Sequence, residues 1–452
     1  MSILLRSVRR GLRVVGAASV LAMGCAHTGR PPLTDWEQAE DYLRTGQGAR
    51  AVPLLEAMHA RNPKDYEVAR SLVEAHDQAG QSAALAQRLQ GEVSKNPSAV
   101  GHYMRGLALF AATHEATPEG VAEFERALAL EPRRAELHYR LGLTYVESEQ
   151  YEAALAPLRR AAELAPYRRA VQLPLSKVLS KLGDRKGAVA ALARVVSLGP
   201  TREEVATARA LIAAWDPIAK LPEGARGDFE RGMHALTQDS PQDALTAFEA
   251  VVQTHPDLAF GPALLGLAYQ RLDDPGRAVE SFRRSIELDP SQALPHLYLG
   301  NLYLARSQLD MALESYQKAV ALNPLLDEAY LHLGELGWER GDLELARRSF
   351  RNLAFLEPDN GLVRWKLAQT LQRQGDFDAA EHELRTAISG NPENLEFRLR
   401  LGLLYAEKRQ RVANAEEKQR AGFQAQRLLK EVLKSQPDNA LAIAALQELN
   451  AK

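Results

Sequence analysis

The chain has 452 residues, of which 46% are hydrophobic and only 6% are aromatic, and its formal net charge is −2. This near-neutral charge provides no basic surface of the kind that nucleic-acid-binding proteins carry, so no nucleic-acid partner is expected. Cys25 is the single cysteine in the sequence, which excludes an internal disulfide framework and a zinc site built from several cysteines.

The chain starts with the features of an export signal. Four arginines between positions 6 and 13 precede a mostly apolar run from Val14 to Met23. The run is too short to cross a bilayer as a helix, which needs about 20 residues. Residues 1–24 are therefore predicted to be a signal peptide.

The end of this leader, Leu21-Ala22-Met23-Gly24-Cys25, resembles the lipobox of bacterial lipoproteins. In those proteins the cysteine becomes the lipidated first residue of the mature chain. The match departs from the pattern at Leu21, which lies one place early, and at Met23, which is larger than usual. We predict lipidation at Cys25 and a tether over residues 25–32. The alternative is ordinary cleavage after Gly24, which would leave a soluble periplasmic protein with a free thiol.

Prolines recur along the rest of the chain. Their spacing is 34 or 35 residues in two series: Pro63, Pro97, Pro132, Pro166 and Pro200, then Pro256, Pro290, Pro324, Pro358 and Pro392. Proline stops a helix because it lacks the backbone donor and disfavours helix in the residue before it. The prolines therefore mark the ends of repeated helical units.

The stretch from Ala293 to Leu326 is the clearest copy of the unit. Its characteristic residues are Leu299, Gly300, Tyr303, Ala312, Tyr316, Ala319 and Pro324. Their spacing predicts two short amphipathic helices, and the small Gly300 and Ala312 allow these helices to approach closely. One such hairpin cannot bury its apolar face alone, so neighbouring copies must cover it.

This period and its pattern of small and large residues resemble the tetratricopeptide repeat (TPR). The resemblance covers about residues 33–452. It implies an all-α fold, a right-handed α-solenoid of about 11 helical hairpins.

The period is interrupted between Pro200 and Pro256, where the chain has 22 extra residues. Their apolar positions predict a helix that ends near Trp215 and covers the preceding hairpin; they are Val205, Ala208, Leu211, Ile212 and Trp215. We therefore predict a first repeat block at 33–202, an inserted helix and linker at 203–224, a second block at 225–439 and a C-terminal capping helix at 440–452. The alternative is one continuous superhelix with a local bend at the insert.

Two smaller irregularities lie within the repeats. Pro174 is expected to kink or shorten the first helix of the fifth repeat. Eleven extra residues in the last repeat, around Lys408 to Gln419, are highly charged, and we predict that they form a solvated extension of a helix.

The sequence has no metalloprotease, nucleophile-elbow, phosphate-binding-loop or paired-cysteine motif. His138 and His296 occupy the same repeat position, which favours a packing role over metal binding. Once the leader, repeats, inserts and closing helix are assigned, no stretch is left that could fold as a catalytic domain. We predict a protein that is not an enzyme and has neither cofactor nor metal.

In the family that the chain resembles, the first helix of each hairpin lines a concave groove that holds a partner segment. Offsets from each Leu-Gly pair give the candidate partner-binding residues: Phe260, Leu297, Tyr298, Asn301, His332, Glu335, Trp338, Trp365, Lys366, Gln369 and Arg373. Tryptophans beside polar groups are typical of interaction hot spots, although Trp338 and Trp365 could equally fill the seam between repeats. Leu297 replaces the lysine that a carboxylate clamp would need before Asn301, so a partner held by its C-terminus is not expected.

The resulting hypothesis is an exported scaffold of the bacterial cell envelope with protein partners, anchored through the lipid on Cys25 and facing the periplasm. It looks like the repeat lipoproteins that help to assemble secretion, pilus, polysaccharide-export or motility complexes. Ala26 replaces the aspartate that retains some lipoproteins at the inner membrane, which favours the outer membrane. The alternatives are a soluble periplasmic adaptor that binds peptides, or a regulatory arm for an enzyme on another chain.

Overall fold

The computed structural model describes residues 34–451. The predicted signal peptide (1–24), the lipidation at Cys25 and the tether (25–32) lie outside the described residues. Between residues 34 and 451 the chain consists of α-helices and the turns that join them, without any strand. The predicted all-α fold is therefore confirmed.

The helices are numbered in chain order. The first ten are α1 Asp35–Arg44, α2 Gly48–Arg61, α3 Tyr66–Gln78, α4 Ser82–Lys95, α5 Ala99–Thr113, α6 Pro118–Leu130, α7 Ala135–Glu147, α8 Tyr151–Leu164, α9 Arg169–Lys181 and α10 Arg185–Ser197. The others are α11 Arg202–Ala213, α12 Glu223–Thr237, α13 Pro241–Thr254, α14 Gly261–Arg271, α15 Pro275–Leu288, α16 Leu294–Ala305, α17 Leu309–Leu322, α18 Asp327–Arg340, α19 Leu343–Leu356, α20 Gly361–Gln374, α21 Phe377–Gly390, α22 Leu395–Arg411, α23 Ala415–Ser435 and α24 Ala440–Ala451.

These 24 helices follow one another as eleven pairs, and α11 and α24 are the two single helices within residues 34–451. The number of pairs agrees with the predicted number of hairpins. We call α5–α10 the first hairpin set and α12–α23 the second hairpin set.

The described chain divides into two compact units, with the boundary after Leu85 inside α4. The first unit contains α1, α2, α3 and the start of α4. Ala39, Ala51, Leu55 and Leu72 are buried in its core. Its small residues allow close packing, as at Gly48, where an added Cβ would lie 2.4 Å from the carbonyl oxygen of Ala75.

In most hairpins of the second unit, the two helices meet where a glycine of the first helix faces a large side chain of the second. In α9 and α20 the equivalent residues are Ser176 and Ala368. An added Cβ at Gly334 would lie 2.4 Å from Cε1 of Phe350. Equivalent contacts occur at Gly142–Leu158, Gly232–Phe248, Gly266–Phe282 and Gly300–Tyr316. Because the large side chain is buried in each case, any residue other than glycine would push the two helices apart.

The inserted helix α11 begins with a capping box. The Thr201 hydroxyl accepts a hydrogen bond from the Glu204 amide (3.2 Å), and the Glu204 carboxylate accepts one from the Thr201 amide (2.7 Å). This reciprocal arrangement satisfies two amides that lack helical partners. The helix ends at Ala213, and the Asp216 carboxylate then accepts a hydrogen bond from the Ile218 amide (2.9 Å) in the turn that follows.

Two apolar cores meet at α10. Residues from Tyr139 to Ala191 form one core, and residues from Leu192 to Leu449 form the other. The partly buried Trp215 packs against both. The division into blocks at 33–202 and 225–439 stays a prediction.

The two smaller irregularities have different outcomes. Helix α9 is not shortened by Pro174 and runs for 13 residues, because the proline lies in its second turn and removes only one early hydrogen bond. The eleven extra residues lengthen both α22 and α23. Lys408 in this extension is buried rather than solvated, and it pairs with Asp378 (2.5 Å) and Glu417 (3.2 Å).

We expect Gly334→Ala to lower the free energy of unfolding by about 1–3 kcal/mol, because the new methyl group would overlap the buried Phe350 ring. The matched control is Gly227→Ala in α12, where an added Cβ meets no atom within 4 Å. That control should be stabilising by up to about 1 kcal/mol, since alanine is the better helix former. Urea denaturation followed by circular dichroism measures both changes; equal effects of the two substitutions would contradict the close contact.

Candidate functional site

The first helices of successive hairpins in the second set are joined directly to one another by side chains. The Asn301 amide of α16 donates a hydrogen bond to Glu328 of α18 (2.7 Å), and the Lys366 ammonium of α20 donates one to Glu335 of α18 (2.8 Å). We call the surface formed by α16, α18, α20 and α22 the first-helix face. It is the structural counterpart of the predicted groove.

Two of the predicted partner-binding residues have almost no accessible surface. Phe260, which precedes α14, is 1% exposed, and Leu297 of α16 is 4% exposed. Both belong to the apolar core of the second hairpin set. The structure therefore places these two side chains in the interior, where they pack in the core beneath the first-helix face.

The polar residues of α16 and α18 form one connected group. The Tyr316 hydroxyl donates a hydrogen bond to the Asn301 side-chain carbonyl (2.7 Å). Both the oxygen and the nitrogen of the Asn301 side chain are therefore hydrogen-bonded. The His332 ring stacks on the Tyr316 ring with a centroid distance of 5.0 Å. His332 also lies 3.7 Å from the Glu335 carboxylate. These contacts hold the polar groups in fixed positions before any partner binds, which lowers the entropy cost of binding.

Each of the two tryptophans lies beneath an arginine from the next hairpin. The Arg373 guanidinium is 4.9 Å from the Trp338 ring centroid, and the Arg400 guanidinium is 4.9 Å from that of Trp365. Such cation–π contacts are favourable. Both rings are partly buried against the core, so each tryptophan fills the seam between hairpins and still keeps some surface on the first-helix face.

The remaining predicted residues lie on α20. Lys366 and Gln369 are half-buried, and Arg373 is exposed. The indole nitrogen of Trp365 is buried and has no hydrogen-bond partner among the described residues. A buried donor without an acceptor is costly. A partner that supplied an acceptor to this nitrogen would therefore bind more favourably.

The pKa of Tyr298 on α16 is raised to about 12, first because the phenol is partly buried and then because Glu328 and Asp216 disfavour its anion. Asp216 lies in the connection between α11 and α12. The connection is therefore close to the first-helix face. The sequence analysis missed this proximity, because no local pattern relates positions 216 and 298.

Residues 34–451 contain neither a cluster of metal-ligating side chains nor a membrane-spanning helix. No group of three or more histidine, cysteine, aspartate or glutamate side chains is arranged to hold a metal ion in that range. None of the helices in the same range is both long enough and apolar enough to cross a bilayer.

Models of the tetratricopeptide repeat match the chain at residues 103–169 and 366–422, 145–212, 263–292 and 300–339. Together the matched stretches cover slightly more than half of the 452 residues. No curated protein matches the chain.

Several solved structures resemble parts of the chain. YrrB, described as a TPR protein with an unusual peptide-binding site, is 20% identical with a TM-score of 0.38, over 44% of this chain and 98% of YrrB. The Cut9–Hcn1 hetero-tetramer is 15% identical with a TM-score of 0.34, and the match covers 91% of this chain and 95% of the matched chain. TTC0263, a TPR protein of Thermus thermophilus, is 21% identical with a TM-score of 0.30, and the match covers 40% of this chain and 98% of TTC0263.

The raised pKa of Tyr298 predicts a loss of stability in alkali. An unfolded tyrosine ionises near pH 10, whereas folded Tyr298 stays neutral to about pH 12. Its contribution to stability is therefore complete below about pH 10 and is lost as the pH rises from about 10 to about 12. Urea midpoints measured between about pH 9 and about pH 11 should fall less steeply for Tyr298→Phe than for the wild type.

Asp216→Asn tests the cause of this shift. Removing the nearby carboxylate should lower the pKa of Tyr298 and so make the dependence on pH shallower. Identical slopes for the wild type and both variants would show that the pKa of Tyr298 is not raised in the folded chain.

Proposed function

We propose that this chain, which belongs to the tetratricopeptide repeat family, is a non-catalytic scaffold that binds protein partners on the first-helix face. The observation that carries the proposal is the continuous row of aromatic and polar side chains across α16, α18 and α20. Neighbouring hairpins hold this row in place through the Asn301–Glu328 and Glu335–Lys366 contacts.

The chemistry of the row fits an extended protein segment. Aromatic rings provide apolar contact area at low entropic cost, and the adjacent amide and charged groups can bond to a backbone. Trp338, Trp365 and Tyr298 supply rings, and Gln369 supplies an amide. The unpartnered indole nitrogen of Trp365 can donate a hydrogen bond to a partner carbonyl after a small movement of the ring.

We further propose that the scaffold works in the bacterial cell envelope as an outer-membrane lipoprotein that faces the periplasm. The basic and apolar leader and the position of Cys25 at its end support this proposal. Its partners would be components of a secretion, pilus, polysaccharide-export or motility complex. A soluble periplasmic adaptor is the alternative, and only the lipid on Cys25 distinguishes the two.

Replacing Trp338 and Trp365 together by alanine should abolish the crosslinks that the wild type forms with its partners in cells, as measured by mass spectrometry after affinity recovery. The loss of two anchoring rings typically costs about 2 kcal/mol or more each, about a 30-fold loss of affinity per ring. The matched control is Tyr167→Ala with Phe423→Ala, because these two exposed aromatic residues lie off the first-helix face. Unchanged crosslinking by a folded tryptophan variant would show that partners bind elsewhere.

Cys25→Ser should move the protein from the membrane fraction to the soluble periplasmic fraction, because the variant lacks the thiol that carries the lipid. Fractionation followed by immunoblotting measures the shift, with Ser94→Ala on the surface of α4 as a neutral control. A Cys25→Ser variant that still sediments with membranes would contradict the lipid anchor. A wild type found in the soluble periplasmic fraction would favour the adaptor hypothesis.

A further inference from the structure

The last hairpin of the first set, α9–α10, is not followed by another hairpin that could cover it. Instead, α10 packs against α17 and α19, which are second helices of the second hairpin set. Leu192 and Val196 of α10 and Val205 and Ala208 of α11 are at most 5% exposed and belong to the core of the second set. Gly199 lies against the Phe355 ring, and a Cβ added at Gly199 would be 3.0 Å from that ring. The end of the first set therefore docks on the side of the second.

Three arginines surround this apolar contact and reach three successive inter-hairpin loops. Arg185 donates to the hydroxyl (2.7 Å) and to the carbonyl (2.9 Å) of Ser291, after α15. Arg209 pairs with Asp327 (2.9 Å), at the start of α18. Arg202 forms an ion pair with Asp359, after α19. The three contacts lie along one edge of the second hairpin set.

The charges on the two edges are opposite in sign. The inter-hairpin segments of the first set carry Arg133, Arg134, Arg168, Arg169 and Arg202. The equivalent segments of the second set carry Asp257, Asp289, Asp327, Asp359 and Glu393. Of these arginines, Arg202 meets the opposite charge directly in its ion pair with Asp359, whereas Arg168 and Arg169 pair with Glu136 and Glu204. An ion pair across the contact favours one docking geometry over others.

A partly open cleft of about 300 Å³ lies beside the apolar contact and is lined by Arg209, Trp215, Asp216, Leu294 and Leu326 among others. The Arg202 and Asp359 side chains are 70% and 71% exposed. The arginine contacts around the buried apolar residues are therefore within reach of water and salt.

The connection after α11 allows the two sides to separate without unfolding a hairpin. Residues 214–222 contain no helix, and they include Pro217 and Pro222. Opening at this connection would break the three arginine contacts and expose the sides of α17 and α19. The internal contacts of each hairpin, such as Gly300–Tyr316, would remain intact.

We propose that α10 and α11 form a reversible, salt-sensitive clasp on the edge of the second hairpin set, with residues 214–222 as its hinge. Arg185, Arg202 and Arg209 hold the clasp closed, and its opening changes the position of the first set relative to the first-helix face. This inference is independent of the proposed binding function, because it concerns only contacts within the chain.

The experiment is a distance measurement by electron spin resonance on the full chain. Spin labels on Tyr167→Cys and Phe423→Cys, two exposed sites in the first and second sets, report on the clasp. Cys25→Ser removes the native thiol. A second label pair, Leu288→Cys with Phe423→Cys, lies entirely within the second set and serves as the matched control.

Raising the salt concentration from about 0.1 M to about 1 M shortens the Debye length from ~10 Å to ~3 Å and should increase the population with a long 167–423 distance. Arg202→Glu with Arg209→Glu should raise that population about three- to tenfold at low salt. Adding Asp327→Arg and Asp359→Arg should restore the short distance. The 288–423 distance should stay constant throughout.

A 167–423 distance that does not change with salt or with the charge reversals would overturn the proposal. So would a failure of the compensating aspartate substitutions to restore the short distance. An equal broadening of the 288–423 distance would also overturn it, because the second set itself would then be loosening.

Discussion

The closure of most hairpins in the second unit depends on the contact between a glycine in the first helix and a large side chain in the second. In most hairpins of the second unit the two residues are 16 positions apart, as in Gly334 and Phe350. In the last hairpin they are 27 positions apart, yet an added Cβ at Gly402 would still lie 2.9 Å from the Leu429 side chain. The eleven extra residues therefore extend both helices beyond the contact without displacing it.

Because this contact is local, the sequence predicts the hairpins well. Each helical pair is determined by residues within one repeat and its neighbours, which is the property that makes repeat proteins nearly one-dimensional. The inserted helix was also predictable, since Thr201 and Glu204 cap it and its apolar positions recur at helical spacing. Its predicted end near Trp215 and its actual end at Ala213 differ by two residues.

The candidate site was harder to predict because an offset in a repeat sets the direction of a side chain but not what covers it. Phe260 and Leu297 have offsets of the predicted groove but are buried. The neighbours of Tyr298 include Asp216, which belongs to the insert. Arg202 and Asp359 are 157 positions apart. Contacts at such separations depend on how the two hairpin sets dock, and no periodicity in the sequence encodes that docking.

The distribution of charge indicates where the second unit can change its geometry. Charges buried inside hairpins are paired locally: Glu123 of α6 is fully buried and contacts His102 and Arg105 of α5. Removing one partner of such a pair would leave an uncompensated buried charge, which is strongly destabilising. At the edge of the second set, Arg202 and Asp359 can return to water at little cost because they are already exposed. Among the charged contacts of the second unit, the ion pairs that α11 makes with the second set are therefore the ones that salt weakens most readily.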